Sequence, residues 1–268
     1  MSKRKRLLGF RVDARYMFAA PFIIFLIILV VFPLSLLFWH AFTDDGSFTF
    51  AHFQNFFNDP LMMRVVWRSL WIALLATVIC LVIAYPIAYA LTILRFNRSF
   101  TILMLFILPM WINLLLRSFA LRQSFHLIGL YDGLWALIVA IVIDYLPLMI
   151  LPIYVVLGNV NRKLIEASQD LGANPFQVFT RTILPLSVPG VIAGFILVFT
   201  PSVSTFFLGD YFGDNSIFMF GQLLNQLLTR QNFSMGSVLS IVLLVIVALA
   251  VIITNRFTRI RNKRGGLW

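Results

Sequence analysis

One acidic side chain, Asp144, lies deep inside a long apolar stretch, where an ionisable group is costly. The stretch from Leu134 to Leu157 is long enough to cross a bilayer, and at ~1.5 Å per residue Asp144 would lie roughly 15 Å from its start. A carboxylate at that depth costs on the order of 2.5 to 3.5 kcal/mol unless it faces a polar cavity or a partner. We therefore expect Asp144 either to line a polar path that favours a cationic solute or to hydrogen-bond another helix.

Further polar side chains accompany Asp144 in the apolar stretches. Tyr145 follows it directly, and Trp111 and Asn113 belong to the preceding stretch. A later stretch carries four hydroxyl groups around Pro201, namely Thr200, Ser202, Ser204 and Thr205. Such hydroxyls can bond backbone carbonyls beside a proline, or they can border a polar path. We predict that Asp144, Tyr145, Trp111, Asn113, Thr200, Ser202 and Ser204 line such a path.

Motifs for catalysis and nucleotide binding are missing from the chain. It has no Gly-Lys dipeptide, and hence no P-loop for nucleotide phosphates, and neither H-E-x-x-H nor G-x-S-x-G occurs. His40 and His52 lack the spacing of metal ligands, and the single cysteine, Cys80, lies in an apolar run. We therefore expect this chain to have no catalytic residues, no metal site and no cofactor of its own.

Composition places the 268-residue chain in a lipid bilayer. Hydrophobic residues make up 61% of it, charged residues only 12%, and its mean hydropathy is +0.95. These values are typical of integral membrane proteins and exclude a water-soluble domain. The net charge of +11 does not indicate nucleic-acid binding, because the basic residues flank apolar stretches and form no patch with interleaved aromatics.

Six apolar stretches are long enough to cross ~30 Å of hydrocarbon as helices. They run from about Tyr16 to Trp39, Arg68 to Leu94, Phe100 to Leu121, Leu134 to Leu157, Ser187 to Leu208 and Ser237 to Phe257. The chain is therefore predicted to be an all-α integral membrane protein, with six transmembrane helices within residues 16–258. A separate amphipathic helix is predicted at 215–231, either packed on the bundle or serving as a docking surface for an external partner.

The distribution of positive charge predicts the orientation of these helices. Sixteen of the 21 Lys and Arg residues fall at the two termini and in the connections after the second and fourth spans. An even number of spans puts all four segments on one side, which the positive-inside rule makes cytoplasmic. We therefore predict basic cytoplasmic termini at 1–15 and 259–268 and a cytoplasmic loop at 159–186. The remaining arginines, among them Arg117, are expected on the outer side.

The loop at 159–186 carries helix signals of its own. Apolar residues at 164–171 follow a 3.6-residue period, and Gly172 stands where a helix would end in the left-handed conformation. A second helix is predicted to start here, because Asn174 can act as the N-cap, Pro175 fits the first turn and Gln177 can complete a capping box. The sequence therefore predicts two short helices joined by a tight corner, accessible to a partner outside the membrane.

This loop resembles a motif of a known family. Glu166-Ala167-Ser168, Gly172, Leu184-Pro185, Pro189-Gly190 and Ala193-Gly194 resemble the EAA loop of permease subunits from bacterial binding-protein-dependent ABC importers. Two positions depart from the family pattern, since Ser168 replaces an alanine and Thr182 stands where isoleucine is usual. The resemblance implies the type I importer fold and a coupling helix that docks in a groove of a cytoplasmic ATPase. The implied coupling residues are Glu166, Ala167, Ser168, Asp170, Leu171, Gly172, Asn174, Pro175 and Phe179.

The resemblance also implies partners and a location. These are a pair of ATPase subunits that bind ATP and Mg, a second, related permease chain, an external solute-binding protein, and the bacterial inner membrane. Segments at 108–120, 145–154 and 199–210 look most like the spermidine/putrescine permeases. An importer for phosphate, iron or a phosphonate shares the general features, and a secondary transporter or a channel is a further alternative, although no inverted repeat is visible. A transport subunit is therefore expected, not an enzyme.

Overall fold

The computed structural model of the protein describes residues 21–44, 46–93, 99–214 and 217–265. In chain order its elements are α1 (Pro21–Phe42), β1 (Thr43–Asp44), β2 (Ser47–Phe48), α2 (Ala51–Asn58), α3 (Pro60–Thr92), α4 (Ser99–Ile107), α5 (Leu114–Leu127), α6 (Leu134–Gly158), α7 (Arg162–Asp170), α8 (Pro175–Ser204), α9 (Phe207–Phe212), α10 (Phe220–Thr229) and α11 (Phe233–Gly265). The basic N-terminus predicted at 1–15 and the connection that carries Arg95 and Arg98 lie outside the described residues. Apart from one antiparallel hairpin of β1 and β2, every element is helical, as the composition predicts.

Five helices are long and apolar enough to cross a membrane, namely α1, α3, α6, α8 and the 233–254 part of α11. A sixth candidate span is a bent pair, Phe100–Trp111 followed by Leu114–Leu127, whose axes differ by 102°. Counting the bent pair as one, the described residues contain six candidate spans, as predicted. The second span begins at Pro60 and not at Arg68, because the Asp59 side chain caps the helix and Pro60 fits its first turn.

The third predicted span, Phe100 to Leu121, is not one continuous helix. After α4 the chain tightens into a 3₁₀ turn at Leu108–Trp111, and it is extended at Ile112 before α5 begins. Pro109 lies in this turn, and the Asn113 side chain accepts a hydrogen bond of 2.9 Å from the amide two residues further on. A proline followed by a helix cap explains a break that the apolar run by itself does not reveal.

The core of the bundle forms where α3, α6 and α8 pack together. One face of α3 carries small residues at spacings of three to four, all fully buried: Ala73, Ala76, Cys80, Ala84 and Ala88. On α8, Gly190 and Gly194 lie against Pro152 and Met149 of α6, and a Cβ added to Gly190 would come within 2.8 Å of the Pro152 carbonyl oxygen. Small residues therefore let these three helices approach closely.

The amphipathic helix predicted at 215–231 is shorter than expected. Residues 215 and 216 lie outside the described residues, and α10 begins at Phe220 and ends at Thr229. The start of α10 is buried, and the Phe220 amide donates to Ser69 Oγ on α3 at 2.7 Å. The helix therefore packs on its own bundle, which is one of the two roles that the sequence left open.

Candidate functional site

We call residues 159–186 the elbow, because the chain turns sharply between α7 and α8. The first half, α7, begins after Asn161, whose side chain accepts the Lys163 amide at 3.0 Å. No residue of α7 is fully buried. Of the predicted coupling residues on α7, Glu166, Ala167 and Asp170 are exposed, and Ser168 is half-buried. The helix is therefore available to a partner along most of its surface.

A left-handed glycine makes the corner of the elbow. Gly172 has a φ of +84°, a conformation that residues with a Cβ rarely adopt. Its amide donates to the Gln169 carbonyl at 2.8 Å, and the next amide donates to the Ser168 carbonyl at 3.2 Å. These bonds satisfy the last carbonyls of α7 and confirm the predicted helix end at Gly172.

The second half of the elbow starts with the predicted capping box. Asn174 Oδ1 accepts the Gln177 amide at 2.8 Å, Gln177 Oε1 accepts the Asn174 amide at 3.0 Å, and Pro175 occupies the first turn. The prediction of a separate short helix is wrong, however, because the helix continues through a π-helical turn, Phe179–Ile183, into the fifth span. This span therefore begins at Pro175 and not at Ser187. Any displacement of the elbow would act directly on a transmembrane helix.

Aromatic contacts fasten the elbow to the end of α3. The Phe179 ring meets the rings of Tyr85 and Tyr89 edge-to-face, with centroids 5.8 and 5.5 Å apart. A hydrogen bond of 2.8 Å joins Tyr85 Oη to Ser187 Oγ. Each such aromatic pair contributes about 0.5 to 1.5 kcal/mol beyond its buried area. Phe179, which the resemblance places among the coupling residues, is half-buried against α3 and anchors the elbow to the bundle.

The two positions that depart from the EAA pattern touch each other. Thr182 Oγ1 donates to Ser168 Oγ at 3.3 Å, which joins α8 to α7 across the corner. An alanine and an isoleucine at these positions could make only an apolar contact. The two departures are therefore complementary, and they add a polar tie between the halves of the elbow.

Large apolar side chains project from the elbow beside the corner. Leu171 is 89% exposed, and Phe176 is 74% exposed. Asn174 and Pro175, two further predicted coupling residues, lie between them in the chain and are exposed as well. Apolar groups held outward on a rigid polar segment are typical of a protein-docking surface.

Asp144, the carboxylate predicted to lie within the membrane, is fully buried and has an ionic partner. Its side chain has no exposed surface, and its Oδ1 lies 2.8 Å from Nε of Arg117 on α5. Despite this proximity, neither carboxylate oxygen accepts a well-aligned hydrogen bond within the described ranges. Arg117, expected on the outer side, is the residue that sequence reasoning missed, because no spacing rule relates two residues on different helices.

The other predicted path residues occupy three places. Tyr145 is half-buried next to Asp144 on α6. Trp111 is 87% exposed at the break between α4 and α5, where Asn113 caps α5. Among the hydroxyl-bearing residues of α8, Thr200 is half-buried, Ser202 is buried and Ser204 is exposed. The last two donate to carbonyls of their own helix at 2.7 and 3.3 Å, so a solute is not needed to satisfy them.

A second ion pair lies near the C-terminal end of α5. Arg122 donates to both carboxylate oxygens of Asp132, and His126 Nε2 lies 3.4 Å from the same carboxylate. These neighbours, Arg122 foremost, hold the pKa of Asp132 below its ordinary value. Arg122 and His126 also line a cavity of about 630 Å³ together with Tyr211.

Comparison with known protein families identifies the family to which this helical bundle belongs. The family described as "Binding-protein-dependent transport system inner membrane component" matches residues 92–265, which include the broken span, the elbow and the last three spans. The chain belongs to this family. As a member it is a multi-pass inner-membrane subunit of a transport system and not an enzyme. Family membership also decides against a secondary transporter or a channel.

Relatives and solved structures agree with this assignment. The family member is 34% identical to the spermidine/putrescine transport system permease protein PotB of Haemophilus influenzae, over 83% of this chain and 86% of the relative. It is 34% identical to the permease PotC of Escherichia coli over 37% of this chain and 38% of the relative. A bacterial ABC transporter involved in the import of the polysaccharide alginate matches with a TM-score of 0.72 and 18% identity, covering 92% of this chain and 95% of that one.

The methionine ABC transporter MetNI, in an inward-facing form, is a further structural neighbour. It matches with a TM-score of 0.60 and 20% identity, over 76% of this chain and 99% of that one. Both neighbours are ABC transporters, so the predicted type I importer permease fold is confirmed. The alginate transporter has also been solved with a periplasmic protein bound, and this second structure matches with a TM-score of 0.69.

Proposed function

We propose that this family member is the permease subunit of an ATP-driven importer and forms the translocation path for polyamines such as spermidine and putrescine. The observation that carries the proposal is the 34% identity to a spermidine/putrescine permease, which extends over 83% of the chain. The likeness to the alginate transporter rests on 18% identity and therefore bears on the fold alone.

The proposed path passes the buried carboxylate of α6. Asp144 is the only acidic residue in the six predicted spans, and a carboxylate in a low-dielectric site attracts an ammonium group strongly. Polyamines carry two or more such groups on an apolar carbon chain. The side chains proposed to line the path with Asp144 are Tyr145, Trp111, Asn113, Thr200, Ser202 and Ser204.

Coupling to ATP hydrolysis is proposed to occur at the elbow. The exposed Leu171 and Phe176 support docking into a groove of a cytoplasmic ATPase, with Glu166 and Asp170 supplying negative charge beside them. Because the second half of the elbow is continuous with α8, a docked ATPase would move a transmembrane helix as a rigid body. The proposed assembly contains two ATPase subunits that bind ATP and Mg, a second permease chain related to this one, and an external solute-binding protein.

Uptake by the complete transporter tests this function. Proteoliposomes holding the permease pair and the ATPase, supplied with the binding protein, are expected to accumulate labelled spermidine and putrescine only when ATP is present inside. Unlabelled polyamine should compete, whereas phosphate, a phosphonate and ferric iron should not. Accumulation of one of those solutes without any polyamine uptake would refute the substrate, and a functional complex purified without an ATPase would refute the coupling.

A further inference from the structure

The buried pair of Arg117 and Asp144 leaves most of the hydrogen-bonding capacity of the carboxylate unused. An ionised carboxylate can accept about four hydrogen bonds. Within the described ranges Asp144 accepts none of good geometry, although Arg117 Nε lies 2.8 Å from its Oδ1. The guanidinium therefore offsets the negative charge without satisfying the oxygen lone pairs, and a buried ion pair of that kind is poorly compensated for the loss of its hydration.

Arg117 is also held by a second group, at the break in the third span. Its Nη1 donates to the Pro109 carbonyl oxygen at 3.0 Å. Its side chain keeps 16% of its surface exposed, whereas that of Asp144 keeps none. The guanidinium thus bridges the break and α6, and it is the more accessible member of the ion pair.

The helix that carries Arg117 is loosely attached to the rest of the bundle. α5 follows a bend of 102°, and only two of its residues, Ser118 and Phe125, are fully buried. With so few buried residues, α5 can shift while the core of α3, α6 and α8 stays in place.

We infer that Arg117 is an internal competitor that occupies Asp144 until an ammonium group of the transported cation displaces it. A primary ammonium is compact and carries three donors, so it can supply the hydrogen bonds that the guanidinium leaves unmade. Arg117 keeps its bond to Pro109 and moves aside with α5. Because one cation replaces another, the membrane never holds an unpaired carboxylate. Arg117 is thereby a specificity-determining residue, and this inference rests on the proposed function.

Equilibrium binding of labelled putrescine to the purified permease–ATPase complex, without the binding protein, isolates the membrane site. Asp144→Asn should raise the Kd about tenfold, because the ammonium loses a charge-assisted hydrogen bond. Arg117→Gln should lower the Kd by about the same factor, because the competitor is gone. If the ion pair is purely structural, both substitutions should change the Kd in the same direction, because each removes one partner of the same contact. Parallel changes would overturn the inference.

Two further variants keep the test decisive. Arg117→Lys places a tethered primary ammonium opposite Asp144, which by the same reasoning competes more strongly than the guanidinium, so this variant should raise the Kd above that of the wild type. The measurement is informative even if the glutamine variant does not assemble, and a Kd at or below that of the wild type would contradict competition. The matched control is Arg122→Gln combined with Asp132→Asn, which removes the other ion pair of α5. Its putrescine Kd should be unchanged, and a shift like that of Asp144→Asn would contradict a specific site at Asp144.

The inference and the proposed function can fail separately. If the wild-type complex transports polyamines but neither it nor Arg117→Gln binds putrescine, competition at Asp144 is wrong and the function stands. If the wild type transports no polyamine, the proposed function itself is refuted.

Discussion

Replacing Gly172 with valine should uncouple transport from ATP hydrolysis. Gly172 has a φ of +84°, and an added Cβ would meet no atom within 4 Å, so the cost comes from the backbone and not from a clash. A left-handed conformation costs an L residue about 1 to 2 kcal/mol, and a β-branched side chain tolerates it least. A penalty of that size shifts the population of the native corner by roughly five- to thirtyfold. Relaxing the strain would break the two corner hydrogen bonds of 2.8 and 3.2 Å and separate α7 from α8.

The assay is ATP-dependent polyamine uptake together with ATPase stimulation by the loaded binding protein, in the same proteoliposomes. Both should fall in Gly172→Val, whereas Gly172→Asn should retain most of the activity because asparagine tolerates the left-handed region. The matched control is Gly129→Val, since Gly129 has a φ of +78°, also meets no atom within 4 Å, and lies outside the elbow. Normal coupling in Gly172→Val, or an equal loss in Gly129→Val, would refute the reasoning.

Three other predictions concern docking, packing and charge. Leu171→Ala with Phe176→Ala should weaken copurification of the ATPase without changing the Tm of the permease, because both side chains are largely exposed; retained ATPase would argue against docking. Gly190→Ala should destabilise the bundle by about 1 to 3 kcal/mol, because its Cβ would lie 2.8 Å from a carbonyl oxygen of α6; an unchanged Tm in detergent would contradict this close approach. Asp132→Asn should lower the Tm at neutral pH. Because Arg122 lowers the pKa of Asp132, its stabilisation is present above the ordinary aspartate pKa and disappears as the pH falls through the lowered value. The Tm difference from the wild type should therefore vanish in acid, and a difference independent of pH would count against the ion pair.

Structural features that depend on a few neighbouring residues could be predicted from the sequence. The end of α7 at Gly172 and the capping box of Asn174 with Gln177 follow from backbone preferences, and the structure shows both. The span count follows from stretches of apolar residues long enough to cross the hydrocarbon. Apolarity does not mark where a helix bends or starts, however. Pro109 does indicate a bend in the third span, but the extended backbone at Ile112 and the early start of the fifth span at Pro175 were missed.

The sequence by itself determined that this chain is a bundle of membrane helices with a rigid, accessible elbow, because hydrophobic length and helix-end preferences are local properties. Only the tertiary structure decided which residues meet across helices. It paired Asp144 with Arg117, placed Phe179 between Tyr85 and Tyr89, and brought Ser168 to Thr182. Such contacts depend on how whole helices pack and bend in three dimensions, and no spacing along the chain encodes them.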